Sequence, residues 1–276
     1  MPRYDLHSHS TRSDGLLTPA ELVARAAQKG VTVLALTDHD EVGGVSEARA
    51  AAGLEGIALV NGVEISVTWN GHTLHVVGLH VDPGCSELVA GLEHVRSGRR
   101  SRAEGMASSL AQAGIAGSLE GARSYAANPE LVSRTHFARF LVERGHARDV
   151  QAVFKKYLVS GRPGYVPHQW TSLEQAVGWI RASGGMPVLA HPGRYKLDNP
   201  QREMLLTQFR DLGGIGVEVV TGSHTAEQFA TWGRYARRFG LLASAGSDYH
   251  GPRESYRDLG ELPALPDGCT PIWSQF

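Results

Sequence analysis

The sequence predicts an α/β fold, a parallel sheet or barrel that is interrupted by a block of helices. Apolar runs of strand length alternate with helical segments over residues 4–80 and again over 173–246. The first unit is strand, helix, strand, which implies a parallel crossover. No strand-like run occurs from residue 86 to about residue 158. The length of 276 residues suits one α/β barrel, or one large domain with an insertion.

The first elements follow from local patterns. Tyr4 to His9 is predicted as a strand, and Thr18-Pro19-Ala20-Glu21 is a capping box that begins a helix. Gly30 ends that helix, and the apolar run Val31 to Leu36 predicts a strand buried on both faces. The patterns then predict a helix over residues 47–54, strands over 57–60 and 73–79, and a turn at Asn61-Gly62.

The remaining elements divide the chain into a barrel and an insertion. One long helix is predicted over residues 86–113, followed by shorter helices near 119–126, 135–144 and 149–158. The segment Gly161 to Pro167 is a turn-rich connector. Helices over 173–182, 202–212 and 226–239 then alternate with strands over 187–190, 215–220 and 241–245. We therefore expect a barrel formed by residues 1–85 and 160–276, with a helical insertion over 86–159.

Composition excludes several classes of function. The chain is 42% hydrophobic and 20% charged, with a net charge of -1. Binding of long duplex nucleic acid by bulk electrostatics is therefore not expected, although a local basic pocket stays possible. Cys85 and Cys269 are interpreted as incidental thiols of a reducing cytoplasm. No apolar run reaches about 18 residues and no signal peptide is recognisable, so a cytoplasmic protein without a membrane partner is expected.

Histidines and carboxylates recur at the ends of the predicted strands. Strand alternation would place His7 and His9 on one face, with Asp14 in the turn that follows. His72 and His75 differ by three positions, and we expect His75, in the more buried part of its strand, to face the site. The candidate metal ligands are His7, His9, Asp14, His39, Glu64, His75, His191, Asp248 and His250. Because the carboxyl ends of parallel strands meet at one rim, these side chains should converge.

This ligand set predicts hydrolytic metal chemistry. Six imidazoles and three carboxylates without a thiolate suit Mn²⁺, Zn²⁺ or Fe²⁺ better than Mg²⁺ alone. Nine ligands suffice for two or three divalent ions, of which Mn²⁺ is expected first. Two neighbouring ions can share a hydroxide and clamp the oxygens of a reacting ester. Phosphoester and amide hydrolysis both stay open on this evidence.

The sequence resembles the PHP (polymerase and histidinol phosphatase) domain family, a relative of the amidohydrolases. The resemblance extends from residue 5 to residue 250, with every element in family order. It rests on Asp5-Leu6-His7-Ser8-His9 with Asp14, Thr37-Asp38-His39, Gly62-Val63-Glu64, His75-Val76-Val77-Gly78, Ala190-His191-Pro192 and Gly246-Ser247-Asp248-Tyr249-His250. The resemblance implies a distorted (β/α)7 barrel with its metals at the C-terminal rim of the strands.

The resemblance also implies roles for individual residues. His7, His9, Glu64 and Asp248 would hold one metal, and Glu64 would bridge to a second metal held by His75 and His191. Asp14, His39 and His250 would hold a third metal, or serve the substrate phosphate and leaving group. His39, His191 and Asp248 are the expected catalytic residues. A metal-bridging hydroxide would attack phosphorus, and His39 is the candidate for protonating the leaving group.

One subgroup of the family fits best. The segment Ser133-Arg134-Thr135-His136-Phe137-Ala138, together with Gly161 to Pro167, resembles small bacterial PHP phosphoesterases. These act on 3',5'-nucleoside bisphosphates such as pAp, which implies release of AMP and phosphate. Arginine forks suit phosphates, so the expected substrate-binding residues are Arg134 and His136, with Arg102, Arg194 and Arg99 as further candidates.

Four functions remain in competition. Some relatives in the subgroup are 5'-to-3' exoribonucleases on short RNA, and the same centre would serve that reaction. The near-neutral charge favours short substrates, since a long strand needs a basic groove. Histidinol-phosphate phosphatase would also share the centre, and a non-catalytic metal-binding module would show no turnover. The sequence indicates no obligate protein partner, and rings available to stack on a base are Tyr125, Tyr165, Trp170 and Phe137.

Overall fold

The computed structural model describes residues 2–276. One seven-stranded sheet orders its strands as they follow in the chain. The strands are β1 (Tyr4–Asp5), β2 (Val33–Leu36), β3 (Ala58–Trp69), β4 (His72–Leu79), β5 (Met186–Leu189), β6 (Gly216–Thr221) and β7 (Leu242–Gly246). The last strand returns to the first: the Leu6 amide donates to the Ala245 carbonyl over 2.9 Å. Ser8 bridges Tyr249 beyond that point. The sheet is thus a nearly closed barrel, as the family resemblance implied.

Nine α-helices lie in the described residues. They are α1 (Pro19–Gln28), α2 (Val45–Glu55), α3 (Ser86–Gln112), α4 (Ser118–Arg123), α5 (Arg134–Glu143), α6 (Val150–Val153), α7 (Leu173–Ala182), α8 (Asn199–Asp211) and α9 (Ala226–Phe239). The capping box at Thr18 and Glu21 is formed as predicted. A π-helical turn, Phe154–Leu158, continues α6. Among residues 2–276, no helix is both long enough and apolar enough to span a membrane.

The strand pair β3 and β4 differs from the sequence prediction. The turn predicted at Asn61-Gly62 was wrong, because β3 runs straight through it. A side chain at Gly62 would collide with Thr37 and the Leu36 carbonyl, so the glycine serves close strand packing. The chain reverses instead at Asn70 and Gly71, both with positive φ. Because a two-residue connection cannot form a crossover, β4 is antiparallel to β3. It is also antiparallel to β5, while the other neighbouring strands are parallel.

The helical block has its own apolar core. Met106 and Leu110 of α3 pack with Phe137 and Leu141 of α5 in a cluster separate from the barrel core. Two contacts near the rim tie the block to the barrel: Arg139 pairs with Glu254 over 2.7 Å, and the Ser133 hydroxyl donates to Asp14 over 3.0 Å. The block therefore lies beside the strand ends at which the predicted ligands stand. The domain boundaries at residues 86 and 159 stay a prediction.

Candidate metal centre and active site

The structure brings all nine predicted ligands to one end of the barrel. Strand β1 is shorter than predicted, yet the chain beyond it keeps His7 and His9 together, with 3.2 Å between their Nε2 atoms. His75 faces the cluster, as predicted, and His72 does not belong to it. Three ligand groups can be drawn, and they are His7, His9, Glu64 and Asp248; His39, Glu64 and His75; and His9, Asp14, His39 and His250.

The first group has the dimensions of a metal site. The Nε2 atoms of His7 and His9 each lie 3.3 Å from Glu64 Oε2. They lie 3.5 Å and 3.3 Å from Asp248 Oδ1. A point equidistant from four atoms with such separations is about 2 Å from each, which is the length of a zinc–nitrogen or zinc–oxygen bond. These four residues fit one divalent ion.

Glu64 is the centre of the cluster. Its Oε1 lies 2.8 Å from His75 Nδ1 and 2.8 Å from His191 Nε2, while its Oε2 lies 2.9 Å from His39 Nδ1. The two carboxylate oxygens therefore face different sets of imidazoles. This is the arrangement that a bridging carboxylate between two ions requires.

Asp14 organises the third group. Its Oδ1 lies 3.3 Å from His250 Nε2 and 3.9 Å from His39 Nε2. Its Oδ2 accepts the hydrogen bond from Ser133, so one oxygen is fixed and the other faces the histidines. In the described part of the chain, Asp14 Oδ1 and Glu64 Oε2 are buried without a hydrogen-bond partner. Buried carboxylate oxygens without partners are costly unless a cation compensates them, which fits metal ligation.

The charges of the cluster are strongly coupled. Burial disfavours charge on every member, but Glu218, Glu64 and Asp248 raise the pKa of His7 well above its usual value. Against the same effect of burial, Asp248 and Glu64 raise the pKa of His9 to about 10. Burial lowers the pKa of His39 to about 4. In the metal-free protein, the neighbouring carboxylates therefore keep His7 and His9 protonated. A bound metal ion would displace these protons and neutralise the carboxylates instead.

Glu218 is a buried carboxylate in contact with the ligand cluster, and the sequence prediction left it unassigned. It is fully buried, and its Oε1 lies 2.7 Å from His7 Nδ1 while its Oε2 accepts the His191 amide over 2.6 Å. A proton on His7 Nδ1 shared with Glu218 leaves His7 Nε2 free to bind a metal. The available signal was a single carboxylate within the apolar strand over residues 215–220.

A cavity of about 590 Å³, counted with its open mouth, lies over the cluster. Arg102, Arg134 and Arg194 line it, as do Trp170 and Phe154. Arg194 donates to Asp248 Oδ2 over 2.7 Å. Arg102 and Arg134 form no ion pair with a carboxylate in residues 2–276. Burial together with neighbouring guanidiniums lowers the pKa of Arg102 to about 9 and lowers that of Arg134. The wall of the cavity therefore has positive charge that an anion would neutralise.

Two other predicted substrate-binding residues have structural partners. Arg99 lines the cavity, but its Nε donates to the buried Asp40 over 2.9 Å and its Nη2 donates to Ser66 over 3.0 Å. The His136 ring accepts from the Ser133 amide over 3.1 Å and closes a capping box at the start of α5. His136 is 1% exposed and lies outside the cavity lining. Their roles as substrate ligands stay predictions, and this geometry places His136 behind the cavity wall.

Of the aromatic rings named from the sequence, Trp170 alone lines this cavity. Phe137 lies in the core of the helical block, and the Tyr125 hydroxyl contacts Glu143. Phe154, which the sequence prediction missed, lies on the cavity wall with Arg134 above its ring. Its position in a π-helical turn, which no local sequence signal indicates, brings it there.

A nearly closed α/β barrel whose strand ends hold buried histidines and carboxylates defines the class: a metal-dependent hydrolase centre. The model of the PHP domain matches residues 5–219, and the chain belongs to this family.

Relatives of known name cover nearly the whole chain. A 3',5'-nucleoside bisphosphate phosphatase of Chromobacterium violaceum is 52% identical over 275 residues, with 100% of this chain and 96% of the relative covered. A 5'-3' exoribonuclease, Rnm, of Escherichia coli is 43% identical and covers 98% of this chain, with 92% of its own length aligned.

Solved structures agree with the fold. An amidohydrolase from Chromobacterium violaceum, solved with sulfate and no metal, is 52% identical with a TM-score of 0.96, covering 99% of this chain and 95% of the other. A candidate metal-dependent phosphoesterase from Bifidobacterium adolescentis is 26% identical with a TM-score of 0.83, covering 99% and 94%.

Proposed function

We propose that the protein removes the 3'-phosphate from 3',5'-nucleoside bisphosphates, converting pAp to AMP and phosphate. The observation that carries the proposal is the arrangement of the cavity: the unpaired guanidiniums of Arg102 and Arg134 line the same cavity as the cluster of carboxylates and imidazoles. The 3',5'-nucleoside bisphosphate phosphatase that is 52% identical to this chain supports the choice of substrate.

We propose that the nine ligands hold two or three divalent ions. His7, His9, Glu64 and Asp248 would hold the first, His75 and His191 with Glu64 the second, and Asp14, His39 and His250 the third. We propose Mn²⁺ as the metal, because the donors are imidazole and carboxylate without thiolate. When bound, the ions supply Lewis-acid stabilisation of phosphate charge and make water nucleophilic near neutral pH.

The protein residues bind and orient the substrate. The two phosphates need two positive regions, and we assign the 3'-phosphate to the ligand cluster and the 5'-phosphate to Arg134 and Arg102. Ser133, Arg134 and Thr135 stand at the start of α5, where helix amides favour an anion. Trp170 also lines the cavity, where the guanidiniums of Arg99 and Arg102 lie over its ring and are held in place beside the substrate space.

The leaving 3'-oxygen needs a proton, and His39 is the residue predicted to donate it. With its pKa lowered to about 4 by burial, His39 is neutral at pH 7 and suits ligation better than proton donation. The earlier prediction that His39 protonates the leaving group therefore stays a prediction without support from its charge state. The cytoplasmic location also stays a prediction.

A second activity, 5'-to-3' exoribonuclease, is favoured by the relative named Rnm and by a further relative of the same description from Haemophilus influenzae at 39% identity. The bond broken would be the same, between the 3'-oxygen and phosphorus. The phosphate would then have a second ester bond to the next nucleotide.

Phosphate release from pAp in Mn²⁺, compared with histidinol phosphate and AMP, tests the proposal. The proposal expects AMP and phosphate in equal amounts from pAp, and kcat/KM at least 100-fold above that for histidinol phosphate. A rate on histidinol phosphate equal to that on pAp would contradict the nucleotide assignment. Loss of the phosphate of AMP at a similar rate would contradict the choice of the 3' position.

A further inference from the structure

A second groove opens from the metal-ligand cluster on the side away from Arg102 and Trp170. It measures about 1210 Å³ with its open mouth and is lined by the π-helical turn after α6 and by the loop after β7. We name it the side groove, and the lining residues that it does not share with the first cavity are Val150, Gln151, Lys155, Glu254, Ser255 and Tyr256. The cavity and the side groove share Thr135, Phe154, Arg194, Asp248 and His250. The two spaces therefore meet at the cluster itself.

The chemistry of the side groove suits a nucleotide. The Tyr256 side chain is 65% exposed, which is unusual for an aromatic ring next to a buried site. Lys155 contributes an exposed ammonium group without a carboxylate partner in residues 2–276. Of the two carboxylates that line the groove, Asp248 belongs to the metal-ligand cluster, and Glu254 is neutralised by Arg139 over 2.7 Å. An exposed ring and an uncompensated cation in the same groove are the combination that binds single-stranded nucleic acid.

The side groove lies where a longer substrate has to leave the metal-ligand cluster. In pAp the 3'-phosphate is a monoester, so nothing extends beyond it. In a 5'-phosphorylated RNA the same phosphate continues to the 5'-oxygen of the second nucleotide. With the first nucleotide in the cavity and the phosphate at the cluster, that second nucleotide has to leave the cluster by another opening. The side groove starts at His250 and Asp248 and provides it.

We propose that the side groove binds the second nucleotide of a short 5'-phosphorylated RNA, so that Tyr256 stacks on its base and Lys155 faces its 3' phosphate. This inference rests on the proposed function, because it uses the same cluster and the same scissile bond. Water adds to phosphorus, the bond from phosphorus to the 3'-oxygen breaks, and that oxygen takes a proton. The products are a nucleoside 5'-monophosphate and an RNA shortened by one nucleotide, which retains the phosphate at its new 5' end.

Tyr256→Ala and Lys155→Ala test the proposal with pAp and a 5'-phosphorylated RNA trinucleotide as paired substrates in Mn²⁺. Stacking of one base on an aromatic ring corresponds to a factor of roughly 5–150 in affinity, so kcat/KM for the trinucleotide should fall about tenfold in Tyr256→Ala. The rate on pAp should stay within twofold. Tyr256→Phe retains the ring and should retain the trinucleotide rate. Lys155→Ala should raise KM for the trinucleotide, and more at low salt than at high salt.

Lys156→Ala is the matched control, because Lys156 stands next in the chain but donates to the His146 carbonyl over 3.1 Å and lies over Tyr157. It should leave both substrates unchanged. An equal effect of Tyr256→Ala on pAp and on the trinucleotide would overturn the proposal, as would no effect on either. If the wild-type protein hydrolyses pAp but leaves the trinucleotide intact, the side groove is refuted and the phosphatase stands. If it hydrolyses neither, the proposed function fails as well.

Discussion

Glu218→Gln is the substitution that tests most closely how the barrel orients its ligands. The carboxylate accepts from His7 Nδ1 through one oxygen, at 2.7 Å, and from the His191 amide through the other, at 2.6 Å. Glutamine has nearly the same shape but only one acceptor oxygen. One of the two buried donors must then face an amide NH₂ group. Because the backbone amide of His191 cannot move away, we expect the amide oxygen to stay with it and His7 to lose its partner.

The size of the effect follows from the lost hydrogen bond. A buried donor without an acceptor costs about 1–3 kcal/mol. A metal-free His7 ring can rotate to reduce this cost, whereas a ring that ligates a metal cannot, so most of the cost falls on the metal-bound state. At 1.4 kcal/mol for each factor of ten, metal affinity should fall roughly 5- to 150-fold. Substitutions of residues that orient metal ligands typically cost about 10- to 100-fold, in agreement.

The assay is a titration of metal-stripped protein with Mn²⁺, followed by phosphate release from pAp. Glu218→Gln should shift the half-activating concentration upward by about tenfold or more and recover much of kcat at saturating metal. Glu203→Gln is the matched control, because Glu203 pairs with Arg238 on the exposed surface of α8 and α9. A titration curve of Glu218→Gln that overlays the wild type would refute the orienting role of Glu218.

Four further predictions concern the cluster and its surroundings. Asp248→Asn removes a ligand of the first group and should abolish hydrolysis, while circular dichroism stays unchanged. Arg134→Ala should raise KM for pAp about tenfold or more and leave an aryl phosphate within twofold, as measured by steady-state kinetics. Asp40→Asn leaves Arg99 buried without its partner, which should cost about 3 kcal/mol and lower Tm by about 6–12 °C in calorimetry. Since the pKa of His9 is about 10 in the metal-free protein, it is protonated at pH 7, and metal binding should release protons, detected by calorimetry in two buffers.

Each of these predictions has a result that contradicts it. Residual hydrolysis above a few per cent in Asp248→Asn would remove Asp248 from the ligand set. An equal rise of KM for both substrates would remove Arg134 from nucleotide recognition. An unchanged Tm would show that Asp40 and Arg99 contribute little as a pair. A binding enthalpy independent of the buffer would show that no proton leaves.

The same pKa predicts a dependence on pH. Protonated His9 stabilises the metal-free fold fully below about pH 6.5, and this stabilisation is lost as pH rises through about 10. Because the proton competes with the metal for His9, metal affinity should increase over that range.

The ligands could be predicted from sequence because each stands at a strand end that is marked by its own apolar run. The long helix α3 and the capping box at the start of α1 were predictable for a similar reason, since their signals are local. The antiparallel direction of β4 depends on which of two Asn-Gly pairs, Asn61-Gly62 or Asn70-Gly71, forms the turn before it. Both fit a turn, and only the packing of Gly62 against β2 excludes the first.

The hydrogen-bond partners and positions of several side chains at the site could not be predicted from the sequence. Arg99 stays a predicted phosphate ligand, but its pairing with Asp40 was not predicted, because Asp40 lies 59 positions away and nothing in the chain near Arg99 indicates it. His136 stays a predicted substrate ligand, and the use of its ring in the cap of its own helix was not predicted. Glu218 reaches His7 across 211 positions, and Phe154 enters the cavity through a π-helical turn. The contacts of Arg99 and Glu218 join elements that only the folded barrel brings together, whereas the contact of His136 lies within its own helix cap.

The most direct test of the central claim is to add Mn²⁺ in steps to metal-stripped protein and measure AMP and phosphate formed from pAp, with bound metal counted in the same samples. The proposed centre predicts no turnover without metal and a rise in activity that saturates when two or three ions are bound per chain. Turnover of pAp that is independent of bound metal would contradict it, as would a fully loaded protein that leaves pAp intact.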